Sequence, residues 1–138
     1  MSQPRLLLAE DHAETAELLT DLLQPEFEVI AQVQDGLALV AAAEELSPDV
    51  IVTDISMPGI DGIAASALIL RKNTSARIVL VTVHTDPLLA ERGLAVGALG
   101  YVLKHKAGDE LVPAVRSALR GERHISHPGN PTRVTRTP

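Results

Sequence analysis

Aromatic side chains are almost missing from this chain: Phe27 and Tyr101 are the only two, and there is no tryptophan. The core must therefore be aliphatic, drawn from an apolar content of 46% that is ample for one. There is no cysteine, which excludes a disulfide framework and a thiolate metal site. No apolar run approaches the ~18 residues of a membrane span. The opening "MSQPRLLLAEDH" holds an apolar run too short for a secretory signal and turns acidic straight after it. The expected setting is cytoplasmic. Basic charge is also in short supply, with a net charge of −6. That disfavours nucleic-acid binding, which needs clustered Lys and Arg. What basic charge there is gathers late: from Arg116 onward there are five arginines against one acid, Glu122.

What is present is a repeating alternation. Short aliphatic runs recur at "RLLLA" (5–9), "FEVIAQV" (27–33), "DVIVT" (49–53), "RIVLVT" (77–82) and "GYVLK" (100–104). Most are continuously apolar, as strands buried on both faces of a parallel sheet are. The second run alternates more, which suits an edge strand. Between the runs lie segments of helical spacing, such as Ala16, Leu19, Leu22 and Leu23, or Leu111, Val112, Val115, Ala118 and Leu119. Asp86-Pro87 has the chemistry of a helix start, and Asp61 before Gly62 reads as a cap. Five strand–helix units in 138 residues predict a single α/β domain with a doubly wound parallel sheet. The expected fold is flavodoxin-like, (βα)5, with strand order 2-1-3-4-5. Residues 1–121 form the domain in this reading. Residues 122–138, rich in proline and glycine and basic, read as a linker or disordered tail.

In such a fold, ligands sit beyond the carboxyl ends of the strands. Glu10 and Asp11 end the first strand, Asp54 the third, Thr82 the fourth and Lys104 the fifth. Singly, each has an ordinary reading: Asp54 as a turn cap, Glu10 or Asp11 as a helix cap, Thr82 as a strand residue, Lys104 as a solvated charge. Together they deliver three carboxylates, a hydroxyl and an ammonium to one rim. Clustered carboxylates repel, so they need a cation or raised pKa values. Mg²⁺ suits such oxygen ligands, and a lysine and a hydroxyl beside it suit phosphoryl oxygens.

The acidic "ED" after strand 1, "DISMPGIDG" after strand 3, "VT" after strand 4 and "GYVLK" at strand 5 together resemble the receiver domain of two-component response regulators. The resemblance covers about residues 4–121. "AEDH" and "GALGYVLKHKAGDELVPAVRSALRGE" are most similar to receivers that precede a LuxR-type helix-turn-helix, the NarL/FixJ-like subfamily. The resemblance implies that Asp54 accepts a phosphoryl group from a sensor histidine kinase and that the switch is passed to an output domain or partner. It implies Mg²⁺ (or Mn²⁺) held by Glu10, Asp11, Asp54 and the backbone carbonyl of Ser56. Thr82 and Lys104 would bind the phosphoryl group, and Thr82 with Tyr101 would form the switch. Ser56, Val83 and His84 would tune the rate, with Val83 narrowing access to Asp54. A homodimer through the fourth helix, fifth strand and fifth helix is implied as well. In this reading the chain is a signalling domain, not an enzyme. The alternative is a receiver-like scaffold that binds partners without phosphorylation.

Three departures stand out. Lys104 is followed by His105, not the proline that often gives this family a cis bond; before a non-proline such a bond costs about 2.5–4 kcal/mol. Gly93 falls inside the fourth helix, at a cost of roughly 1 kcal/mol against alanine, and that helix is expected to be the mobile element of the switch. The residues after Gly121 number too few for a DNA-binding module, so no DNA binding is expected from this chain.

Overall fold

The computed structural model describes residues 2–127 and 130–135, with side chains through Ser126. The chain runs β1 (Arg5–Ala9), α1 (Ala13–Leu23), β2 (Glu28–Val33), α2 (Gly36–Leu46), β3 (Val50–Asp54), α3 (Gly62–Lys72), β4 (Ile78–Thr82), α4 (Pro87–Val96), β5 (Gly100–Leu103), α5 (Ala107–Leu119), β6 (Arg123–His127) and β7 (Asn130–Thr135). A 3-10 turn, Lys104–Lys106, joins β5 to α5. The described residues contain no cis peptide bond.

The sheet order is β2-β1-β3-β4-β5-β6-β7. The expected order 2-1-3-4-5 stands within it, with β2 at one edge, and β1 to β5 are parallel. The continuous apolar runs have a simple cause: alternate residues feed two separate cores. Leu6, Leu8, Val50, Val52, Val79, Val81 and Val102 face α1 and α5. Leu7, Ala9, Ile51, Ile78, Leu80, Tyr101 and Leu103 face the opposite layer, with Ile63 and Ile69 of α3. Each strand is thus apolar on both sides because both sides are covered.

The expectation for 122–138 needs correction. Residues 123–127 and 130–135 are strands, with β6 parallel to β5 and β7 antiparallel to β6. "RHIS" alternates, which is why it adds to an edge. His124 and Ser126 meet Glu110 of α5 on one face, while Ile125 packs with the core on the other. The prolines and glycines that suggested a tail lie mostly beyond this run, and residues 128, 129 and 136–138 are outside the described residues.

The caps are as the sequence reads. Asp61 accepts from the Ala64 N–H at 2.8 Å, and Asp86 from the Leu88 N–H at 3.0 Å, with Pro87 in the first turn of α4. Gly93 has a further reason beyond propensity: a Cβ there would lie 2.4 Å from Leu80 Cδ1, so the glycine lets α4 approach the sheet. Gly93 is also the one buried residue of α4.

Candidate functional site

β1 and β3 are adjacent parallel strands, so their carboxyl ends carry Glu10 and Asp54 to the same rim. Both side chains are buried, at 0% and 5% exposed. β5 brings Lys104 across, and its Nζ lies 2.6 Å from Glu10 Oε1 and 3.0 Å from Asp54 Oδ2. One ammonium thus touches two buried carboxylates. The ammonium donates to Asp54 Oδ2 and pairs with Glu10 Oε1 at still shorter range. Burial alone would lower the Lys104 pKa, but hydrogen bonds and charge from Glu10 and Asp54 outweigh it, so the net direction is upward. Lys104 therefore stays charged where the site operates.

Asp11 lies beside Glu10, and the two form with His12 a group of oxygen and nitrogen atoms all within 4.8 Å of one another. His12 Nδ1 is 3.2 Å from Asp11 Oδ1 and 3.5 Å from Glu10 Oε2. Sequence reasoning missed His12, although its place directly after "ED" was the signal. The acids fit a hard divalent ion on this structure's own terms. Their donors are oxygens, and Asp11 Oδ1 is a buried atom without a hydrogen-bond partner among the described residues. Three carboxylates against one ammonium also leave an excess of negative charge.

The loop after Asp54 is fixed by backbone. The Ser56 N–H donates to Asp54 Oδ1 at 3.3 Å, and the Gly62 N–H donates to the Ile55 carbonyl at 2.7 Å. A Cβ on Gly62 would lie 2.0 Å from the Asp54 carbonyl oxygen, so only glycine lets α3 start this close to the end of β3.

His84 joins the remaining parts. Its Nε2 is 2.9 Å from Ser56 Oγ, so the β3–α3 and β4–α4 loops are tied above Asp54. Its N–H donates to Thr82 Oγ1 at 3.0 Å, and its carbonyl accepts from the Tyr101 hydroxyl at 3.0 Å. The sequence marks His84 by its side chain only; a backbone hub has no residue signature. Tyr101 is buried and points inward, and burial, with the charge of Asp86, raises its pKa. Val83 stands apart. It is exposed and lines a groove with Leu18, Leu22, Lys104 and His105 between α1 and the turn before α5.

Residues 6–116 match the response regulator receiver domain family. The chain belongs to that family. LiaR, a transcriptional regulatory protein of Bacillus subtilis, is 39% identical over 86% of this receiver and 57% of its own length. DegU of Brevibacillus brevis is 32% identical over 90% of this chain and 53% of its own. The receiver thus spans little more than half the length of these relatives. The crystal structure of a LuxR-family two-component response regulator from an Aurantimonas species matches with a TM-score of 0.85 at 32% identity, over 92% of this chain and 91% of that one. The expected resemblance and parallel α/β fold are therefore borne out. Among the described residues, no helix is long and apolar enough to cross a membrane.

Proposed function

We propose that this receiver accepts a phosphoryl group on Asp54 from the phosphohistidine of a sensor histidine kinase. The observation that carries the reading is Lys104 Nζ, held between the buried carboxylates of Glu10 and Asp54 at the ends of β1 and β3. An Asp54 oxygen attacks phosphorus, the phosphorus–nitrogen bond breaks, and the imidazole leaves, giving an aspartyl phosphate. Hydrolysis by water later restores the carboxylate. Glu10, Asp11, Asp54 and the Ser56 carbonyl would hold Mg²⁺ or Mn²⁺, which supplies charge neutralisation for the phosphoryl oxygens. Lys104, already charged and aimed at Asp54, moves its hydrogen bond to a phosphoryl oxygen. The Thr82 hydroxyl, whose oxygen accepts from the His84 N–H, turns to donate its O–H to another phosphoryl oxygen. Because the Tyr101 hydroxyl holds the carbonyl of that same His84, a shift of Thr82 loads the β4–α4 loop directly. Ser56 and His84 sit where they can set the rate at which water reaches the acyl phosphate. Val83 would act from the α1 side, at the mouth of the Lys104 groove.

Residues 1–121 are the phosphoacceptor unit in this reading, with β6 extending its sheet. Transcriptional output and a homodimer on the α4–β5–α5 face belong to the same proposal. Their support is the likeness to LuxR-family regulators. Acetyl phosphate with Mg²⁺ tests it: wild type gains the mass of one phosphoryl group and Asp54→Asn does not. An unchanged wild-type mass overturns the reading.

A further inference from the structure

The end of the sheet opposite Asp54 holds a cavity of about 200 Å³. It lies between α2 and α3, beside the amino ends of β3 and β4. Ile51 and Ile69 are buried at its base, with Val40, Ala43 and Ala76 half-buried around them. Two of these five side chains are alanines, too short to fill the space between the helices. An apolar cavity of about 150 Å³ is enough to hold benzene. Apolar walls left half in water gain from being covered.

The rim is charged, and unevenly so. Lys72 of α3 reaches Glu44 of α2 at 3.2 Å, so one ion pair joins the two walls. Both partners are about two-thirds exposed, at 64% and 67%, and pairs of that kind hold weakly. Arg77 adds a second cation, fixed by a hydrogen bond from its guanidinium to the Leu119 carbonyl. Two cations against one acid therefore line this cavity, in a chain whose net charge is −6. The carboxyl ends of α2 and α3 would oppose an anion here. At α2 that opposition is met by Arg5, which donates to the Leu46 carbonyl at 2.9 Å and the Ser47 carbonyl at 3.1 Å. At α3 it is met by Arg71 and Lys72 in the last turn. An apolar pocket with a few placed charges at its mouth has the general form of a small-molecule site.

We propose that this cavity binds a small apolar monocarboxylate. Its carbon chain covers Ile51 and Ile69, and its carboxylate takes the place of Glu44 on Lys72, beside Arg77. The site stands apart from the Asp54 rim, and the inference does not rest on the phosphoacceptor reading.

Hexanoate tests it, titrated into the full chain and followed by amide chemical shifts, with hexylamine as the probe of opposite charge. The site predicts shifts concentrated at 40–51 and 69–77, and binding of hexanoate at least threefold tighter than that of hexylamine. Lys72→Gln should weaken hexanoate at least threefold, and Glu44→Gln, which removes the competing carboxylate, should tighten it. Ala43→Leu fills the cavity and should abolish the shifts. If that variant does not fold, Ala76→Leu replaces it, with the same loss required. Hexanoate that shifts neither segment, that binds there no better than hexylamine, or that still binds once the cavity is filled overturns the proposal.

Discussion

Lys104 is the residue on which the site's electrostatics turn. Its ammonium is the charge set against two buried acids, and removal of one partner of a buried pair leaves the other charge uncompensated. Lys104→Met is therefore expected to lower stability by roughly 3 kcal/mol in urea denaturation. Adding Glu10→Gln should restore part of the loss, since one of the stranded charges is then gone. Tyr101 offers a second check, because it is the only tyrosine and there is no tryptophan. Its tyrosinate absorbance reports one group. Burial first, and Asp86 second, raise its pKa above the ordinary 10.0. The stabilisation tied to the neutral phenol is thus fully present below pH 10.0 and is lost as pH rises through the higher folded value. The expected absorbance midpoint lies above 10.0 in wild type and falls toward it in Asp86→Asn. At this scale the sequence was legible where chemistry lay in side chains at strand ends. It was silent on His84, whose contacts to Thr82 and Tyr101 are made by its backbone.

Among the elements, the start of α3 and the middle of α5 carry the sharpest constraints. Gly62 meets the Asp54 carbonyl so closely that any side chain must push α3 away from β3. Gly62→Ala is expected to cost about 2–3 kcal/mol, as overpacking does, and to slow phosphorylation by moving Asp54. Thermal melts and acetyl-phosphate labelling check the two effects. Pro113 works the other way. It lies exposed inside α5, where it cannot donate to the Asp109 carbonyl. Pro113→Ala should raise stability by roughly 1–3 kcal/mol, measured the same way. The five parallel strands were readable because burial on both faces leaves a continuous apolar signature. β6 was not, because a four-residue alternation with one apolar member, Ile125, looks like any polar loop until an open strand edge is beside it.

Over the whole molecule, the two cores are unequal in how they hold their helices. α1 buries Ala16, Leu19 and Leu23, and α5 buries six residues, whereas α4 buries Gly93 alone. Amides of α4 should therefore exchange faster than those of α1, as expected of the element that moves; equal protection would remove α4 from that role. The acidic balance of the sequence also gains a place, since the rim that joins β1, β3 and β5 gathers three carboxylates about one lysine. The central claim is that this rim is built for a phosphoryl group on Asp54. Intact mass of wild type and Asp54→Asn, each with acetyl phosphate and Mg²⁺, tests it most directly. The account predicts the addition of one phosphoryl group to wild type alone, lost again when the metal is chelated beforehand. An unmodified wild type, or equal modification of both proteins, would contradict it.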